Sequence, residues 1–413
     1  MNKVNEKTIG YYIGRFPGPT YFWREIENLR ELGLSVNLVA TRLTESNDYT
    51  QHAWTKEAAT QTKYLFPLDI KSFFECLLLM IISGPLSWLR CIRAILRADG
   101  VTITERFRLA AMVLAGARLA VLGRQLKWAH IHIGFCSDAA NAALFANLLT
   151  CLPYSLTLHS ALTDFGSNQH QKWGHAAFGT AVAKNLAAEL HEKLGKSLPK
   201  SLEAVSMGVD IAYFRRSQPY QPWNPEDGLA RLLCLTRLTP RKGQQDLIKA
   251  VSLLQASGLD IHLRLIGLEL GTTKWFTGEL QNLIHELDLV GKVEILDEVP
   301  EDEVRCELEA THAFVLPSYA EGTSVAVMEA MAMGVPVVVT NVDGLPDLVD
   351  HNVNGLLVEP GHPEQLFEQL QFLLKDPELA VKFGEQGRLK VEQHFDSKQS
   401  ARALFRGICC DEQ

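Results

Sequence analysis

The chain has 413 residues, 47% hydrophobic and 21% charged, with a formal net charge of −8 at pH 7. That length suggests two or three domains with ample material for buried cores, and the acidic balance argues against a nucleic-acid binder, which needs a basic footprint. Eight cysteines (Cys76, Cys91, Cys136, Cys151, Cys234, Cys306, Cys409, Cys410) show no paired metal-ligand spacing. Scattered in apolar runs, they read as buried thiols of a reducing compartment. The N-terminus, Met1 to Lys7, precedes only a strand-length apolar stretch and does not read as a signal peptide. The expected location is cytoplasmic.

In chain order, Thr8–Ile13 reads as a strand, Tyr21–Leu32 as a helix and Ser35–Ala40 as a second strand. Ala129–Phe135, Tyr154–Leu158 and Ala176–Val182 continue the strands, with helices over Asp138–Leu149 and Asn185–Leu194 and a further strand at Leu202–Ser206. Strand–helix alternation predicts a parallel, doubly wound sheet. Ser217–Gly228, with Pro219, Pro222 and Pro225, reads as a linker. A second alternation follows: strands at 232–235, 261–266, 293–296, 313–316, 346–349 and 355–358, helices at 244–255 and 277–287, and amphipathic helices from about Pro363. The expected domains are 1–218 and 219–391. Two such domains make a cleft, with ligands bound at strand C-termini.

The segment 65–128 breaks the alternation and reads as a helical insertion. Phe73–Ile82 is strongly apolar but meets the breaker Ser83-Gly84-Pro85 after about ten residues, too short to span a bilayer. From 71 to 130 there are nine basic residues (Lys71, Arg90, Arg93, Arg97, Arg106, Arg108, Arg118, Arg124, Lys127) and three acidic ones (Glu75, Asp99, Glu105), a local +6. Two readings stand: a basic, apolar surface resting on anionic lipid at the inner face of a membrane, or an insertion packed on the sheet with solvated arginines.

The most informative stretch is Pro317 to Val339. The buried-strand run Ala313–Leu316 ends at a Pro-Ser turn, and Glu321-Gly322-Thr323-Ser324 opens a helix with Ser or Thr placed to cap it. Strand, Gly-containing loop and helix N-terminus form an anion cradle. Glu321 lies in the loop and Glu329 in an otherwise apolar helix ending at Gly334. A buried-facing carboxylate is costly unless hydrogen-bonded, and ligand hydroxyls are suitable partners.

Two glutamates separated by seven residues, followed by Ala330-Met331-Ala332-Met333-Gly334-Val335-Pro336-Val337, resemble the motif of GT-B retaining glycosyltransferases, glycosyltransferase family 4 in particular. Arg237 and Lys242, in Leu235-Thr236-Arg237-Leu238-Thr239-Pro240-Arg241-Lys242-Gly243, match the family's Gly-Arg-Leu-x-x-x-Lys-Gly segment, with Thr236 in place of the usual Gly or Ser. The resemblance implies an α/β fold of two Rossmann-like doubly wound domains facing across a cleft, with a final helix (about 392–413) crossing back onto the first. It also implies a nucleotide-sugar donor, UDP-linked by preference with a GDP-linked sugar as the alternative, and a glycan or lipid-linked acceptor. Two cations at a strand's C-end can clamp a diphosphate as charge develops. Glu329 is the candidate for the ribose hydroxyls. Glu321, with the amides of Gly322, Thr323 and Ser324, is the candidate for the sugar, orienting it rather than attacking it. The base is expected against Leu296–Pro300, including Val299, and Gly267 in Gly267-Leu268-Glu269-Leu270-Gly271 is expected to approach the ligand.

By the same resemblance His159, in Leu156-Thr157-Leu158-His159-Ser160, approaches the donor sugar; the alternative is a satisfied core histidine. Asp164 and Asp138 are candidates for the acceptor side, as are Gly14 and Gly18 in the loop Gly14-Arg15-Phe16-Pro17-Gly18-Pro19-Thr20. His132, flanked by apolar residues, is as well read as structural. The loop departs from the family in Pro19-Thr20, where Ser-Glu-Thr is common, and Thr180–Lys184 departs from a usual Val-Ser-Glu. No Asp-x-Asp metal motif is apparent, so no metal or other cofactor is expected. A nucleotide-sugar epimerase and a non-catalytic nucleotide-sugar-binding module are the alternatives. A dinucleotide oxidoreductase is disfavoured because no Gly-x-Gly-x-x-Gly follows a strand.

Overall fold

The computed structural model describes residues 7–16, 18–43, 53–268 and 274–410. The chain divides into two compact units, Met1–Ser206 with Lys398–Gln413, and Met207–Ser397.

The first unit holds strands β1 (Thr8–Tyr12), β2 (Arg15–Phe16), β3 (Ser35–Ala40), β4 (Arg42–Leu43), β5 (Lys63–Tyr64), β6 (Trp128–Ile133), β7 (Tyr154–Leu158), β8 (Phe178–Ala181) and β9 (Leu202–Ala204). Its helices are α1 (Thr20–Glu31), α2 (Ala53–Gln61), α3 (Ile70–Ile82), α4 (Gly84–Arg97), α5 (Ile103–Gln125), α6 (Asp138–Thr150), α7 (Gln169–Gly174) and α8 (Lys184–Leu194). The second unit holds β10 (Ala230–Leu235), β11 (Ile261–Ile266), β12 (Val293–Leu296), β13 (Ala313–Leu316), β14 (Val337–Thr340) and β15 (Leu356–Val358), with α9 (Gln244–Ala256), α10 (Lys274–Glu286), α11 (Glu301–Ala310), α12 (Val325–Ala332), α13 (Leu345–Leu348), α14 (Pro363–Lys375) and α15 (Pro377–His394). A last helix, α16 (Lys398–Cys410), belongs to the first unit and packs on α1.

Both main sheets are parallel. The first runs β5-β3-β1-β6-β7-β8-β9 and the second β12-β11-β10-β13-β14-β15. Helices cover both faces of such sheets, so their strands read as continuous apolar runs rather than alternations. Phe314, Val315, Val337, Val338 and Val339 are accordingly fully buried. In each sheet the chain builds outward one way, then restarts beside its first strand: β1 neighbours β6, and β10 neighbours β13. Those are the switch points where open α/β sheets take ligands, outside the strand C-termini.

Three expectations need correction. The division falls after Ser206, not near 218: Val209 bridges Asp396, Phe214 and Trp223 enter the second core, and the Tyr220 hydroxyl donates to the His312 carbonyl at 2.6 Å. The proline-rich stretch is therefore packed onto the second unit by its aromatic residues. Residues 346–349, expected as a strand, lie largely in the one-turn helix α13, where Pro346 occupies a first-turn position that needs no amide donor. The returning segment begins at Lys398, because Pro377–His394 is one helix of the second unit. Insertion 65–128 folds as α3, α4 and α5. Of the Gly267–Gly271 stretch, residues 269–271 lie outside the described residues, as does Pro17.

Helix α16 is anchored by a buried carboxyl. Glu25 of α1 accepts a hydrogen bond from the Tyr11 hydroxyl and bonds Ser400 of α16. Burial outweighs those bonds and pushes its carboxyl from the ordinary 4.5 up to about 7. A raised carboxyl favours the fold fully below the unfolded value and loses that contribution as pH rises through about 7. His130, His132 and His159 act with the opposite sign: burial holds all three far below the ordinary 6.5, so their contribution falls as pH drops below 6.5. Glu25→Gln isolates the first effect, since the histidines are common to both proteins. Denaturant unfolding at pH 5, 6, 7 and 8 is expected to show the variant gaining on wild type by up to about 1.4 kcal/mol per pH unit between 5 and 7. A pH-independent difference would refute the assignment.

Candidate functional site

The site is built where β10 and β13 end. After β10 the chain makes a 3-10 turn, Pro240–Lys242, then passes through Gly243 at φ 69° into α9. After β13 it makes the turn at Pro317-Ser318 and the loop Tyr319–Ser324 into α12, whose first turn is capped by Ser324 accepting from the Val327 amide. The two loops meet through Gly243: a Cβ there would lie 2.0 Å from the Pro317 carbonyl oxygen. A second close approach joins β10 to β11, where a Cβ on Gly267 would lie 1.8 Å from the Thr236 carbonyl oxygen. Only glycine allows either approach.

Lys242 projects across this junction to Glu321. The ammonium donates to the carboxylate, and the side chains retain 9% and 15% of their accessible surface. At such burial the attraction is worth several kcal/mol before desolvation is subtracted. Further bonds set the carboxylate's position. The buried Ser318 hydroxyl donates to Glu321 at 3.4 Å, and the Glu321 amide donates to Asp343 Oδ2 at 2.8 Å. The Tyr319 amide donates to the Arg241 carbonyl at 2.9 Å, and its hydroxyl donates to Asp246 at 2.6 Å. The Gln244 side chain donates to the Arg237 carbonyl at 2.9 Å. An ammonium has three donors, so pairing with one carboxylate leaves Lys242 capacity for a second anion.

The predicted residues fall as follows. Lys242, Glu321, Gly322, Thr323 and Ser324 share the β10–β13 junction, with Arg237 exposed just after β10. Glu329 lies in the second turn of α12 and is half-buried. Gly267 ends β11, and half-buried Val299 lies in the loop after the neighbouring β12. Sequence reasoning missed Ser318, Asp343, Asp246 and Gln244. For Ser318 and Gln244 the available signal was position, directly after a strand and directly at a helix start.

The first unit carries the remaining candidates. Gly14 follows β1 at φ 79°, and Gly18 packs near Ile13 and Phe22. His159 ends β7 among Tyr21, Phe22 and Phe135, with ring centroids 5.2–5.4 Å away. Its Nε2 is sealed from solvent with no hydrogen-bond partner among the described residues, and burial drives the imidazole down to about 3. It is a neutral ring at working pH. His132 is structural: His130, Ser155, His132, Thr157 and Thr180 form a buried hydrogen-bond chain across β6, β7 and β8. Asp138 and Asp164 line one cavity of about 250 Å³ with Arg108, Asn141, Phe165 and Lys172. Arg108 pairs with Asp138, and the buried Lys172 donates to the carbonyls of Cys136 and Phe165 at 2.9 and 3.2 Å.

Residues 220–390, almost the whole second unit, match the family described as glycosyl transferases group 1. The D-inositol 3-phosphate glycosyltransferase of Pseudarthrobacter chlorophenolicus is 30% identical over 240 residues, 57% of this chain and 56% of that one. The putative colanic acid biosynthesis glycosyltransferase WcaL of Escherichia coli is 32% identical over 221 residues, 52% of each. The chain thus matches about half the length of these curated relatives. Along 98% of its length it superposes on solved structures: a glycosyltransferase from Rickettsia africae (TM-score 0.72, 17% identity, 99% of that chain) and Anabaena HepE in complex with UDP (TM-score 0.72, 16% identity, 100% of that chain). The fold is GT-B, and residues 220–390 are similar to the group 1 glycosyl transferases.

The ion pair can be tested without any ligand. Lys242→Met leaves Glu321 in place without its cation and is expected to cost about 1–3 kcal/mol. Adding Glu321→Leu should recover most of that loss, since a matched apolar pair removes both charges together. Additive costs in a denaturant double-mutant cycle would show that the two side chains do not interact.

Proposed function

We propose that the chain is a retaining glycosyltransferase of the family 4 type. It moves a sugar from a nucleoside-diphosphate sugar, UDP-linked by preference with GDP-linked as the alternative, to a hydroxyl of a glycan or lipid-linked acceptor. The synthesis of exopolysaccharide, lipopolysaccharide or glycolipid is its setting. The observation that carries this reading is the pairing of Lys242 with Glu321 across the β10–β13 switch point of a group 1 domain. The relatives' names support the setting: WcaL is named for colanic acid biosynthesis and AmsK of Erwinia amylovora for amylovoran biosynthesis. HepE, solved with UDP and with UDP-glucose, supports the donor class.

In this reading Arg237 and Lys242 hold the diphosphate, and the amides at the start of α12 add to that field. Glu321 orients the sugar hydroxyls and keeps Lys242 in place. Glu329 accepts from the ribose hydroxyls, while Val299 and Gly267 border the base. The acceptor oxygen attacks the anomeric carbon on the face from which the nucleotide leaves. The carbon–oxygen bond to the diphosphate breaks, and a phosphate oxygen takes the acceptor's proton. Cations and amides compensate the leaving charge, so no metal is required. His159, as a neutral ring, serves positioning rather than proton transfer near neutral pH. Gly14, Gly18, Asp138 and Asp164 are assigned to the acceptor side.

A panel of nucleotide sugars, assayed for nucleotide release with and without lipid extract, tests the reading. Acceptor-dependent release that persists in a chelator is expected. Epimer without an acceptor would indicate an epimerase, and silence with retained nucleotide binding a binding module. Lys242→Ala or Arg237→Ala should lower turnover about 10²-fold or more. Near-normal turnover in both would remove the clamp.

A further inference from the structure

The six most exposed large hydrophobic side chains among the described residues all lie in the helical insertion. They are Ile70, Ile81, Leu86, Leu96, Ile103 and Phe107, from 66% exposed at Leu96 to 79% at Ile70. The patterning is inverted relative to a soluble amphipathic helix. The inward face of α3 is Ser72, Cys76 and Leu79, and that of α4 is Ser87, Cys91 and Ala94. Apart from Leu79, small and weakly polar residues pack against the unit, while most of the large apolar ones point away. On α4, Leu89, Ile92 and Leu96 recur at helical spacing opposite the buried face, and the exposed Arg90, Arg93 and Arg97 run beside them with the same spacing.

The backbone of this element satisfies itself. Asp69 caps α3 by accepting from the Ser72 amide at 2.7 Å. The chain turns through 101° between α3 and α4, Gly84 supplying a φ of 77°. At that corner the Ser83 hydroxyl donates to the Leu79 and Met80 carbonyls, and the Trp88 indole N–H donates to the Met80 carbonyl at 2.9 Å. Arg106 closes the end of α4 by donating to the Ile95, Leu96 and Ala98 carbonyls, and Thr102 and Glu105 form a capping box on α5. Helix ends that consume their own polar groups suit a low-dielectric neighbour.

We infer that the outward face of α3, α4 and the first turns of α5 is a seat for an anionic lipid bilayer, lying in the interface and not crossing it. Neither helix alone is long and apolar enough to cross a membrane, and the pair, which would be so if continuous, is bent by 101° at its break. At 13 residues, α3 is about 20 Å long, short of a hydrocarbon core of about 30 Å. Charge favours lipid over a second copy: the 71–130 segment carries +6 within a chain of −8. A twofold contact through this face would set arginine rows against each other. A phospholipid surface meets the arginines with phosphates and the Leu, Ile and Phe side chains with acyl chains. The inference does not depend on the donor reading and is tested without nucleotide.

The test is co-sedimentation of the full chain with vesicles of equal parts phosphatidylglycerol and phosphatidylcholine, against vesicles of phosphatidylcholine alone. Wild type is expected to pellet with the anionic vesicles and not with the neutral ones. Arg90→Gln/Arg93→Gln/Arg97→Gln should weaken anionic binding about 10²-fold, and Leu89→Ser/Ile92→Ser/Leu96→Ser should abolish it. All six positions are solvent-exposed, so both variants should keep the wild-type melt. Wild type remaining in the supernatant with anionic vesicles would overturn the inference. So would undiminished binding by the serine variant, or a solution dimer that the serine substitutions dissolve in a protein indifferent to vesicles.

Discussion

The candidate site depends on one contact between opposite charges. Lys242 and Glu321 come from loops 79 positions apart, after the two strands flanking the switch point. Their attraction requires the loops to interlock, and they do. Gly243 lies against the Pro317 carbonyl, the Tyr319 amide bonds Arg241, and the Tyr319 hydroxyl bonds Asp246. Each link constrains backbone, so the pair has little freedom to relax when an anion approaches. That is the preorganisation a site needs if it is to stabilise charge as it develops rather than charge already present.

The same constraint accounts for the neighbouring carboxylates. A lone ammonium at a strand end would draw in any anion. Ser318 and Asp343 hold Glu321 through its carboxylate and its amide respectively, which keeps Lys242 compensated in the absence of ligand. A ligand bearing both phosphate and hydroxyl groups can give phosphate to the cation and hydroxyls to the carboxylate in one binding event. Phosphate alone would leave Glu321 with one partner fewer.

Much of this was legible in the sequence because parallel sheets buried on both faces leave uninterrupted apolar runs. Ala313–Leu316 is a strand with the bounds expected, and the Ser324 cap and the Gly334 stop of α12 follow from local chemistry. What was not legible is long-range. Nothing local says that Tyr220 reaches the His312 carbonyl or that Asp343 reaches the Glu321 amide, 92 and 22 positions away. The division was misplaced for that reason: proline content describes a segment's backbone, whereas attachment is decided by where its aromatic residues find a core. Residues 346–349 fail differently. Their composition suits a strand, but Pro346 at a first-turn position and a three-residue β15 across a short loop leave room for a single helical turn.

The insertion shows how burial and hydropathy can part company. Hydropathy alone would place Phe74, Ile81 and Leu86 inside, yet each is more than 60% exposed. Apart from Leu79, the packed faces hold serine, cysteine and alanine, small residues that let α3 and α4 lie close against α5 and α6. Close packing through small residues is also how helices associate where water offers no hydrophobic drive between them. In a wholly aqueous setting such an arrangement forgoes the burial of large side chains worth about 1.5–3 kcal/mol each. The proposed bilayer seat would recover that burial, and the arginine row beside it would select an anionic surface.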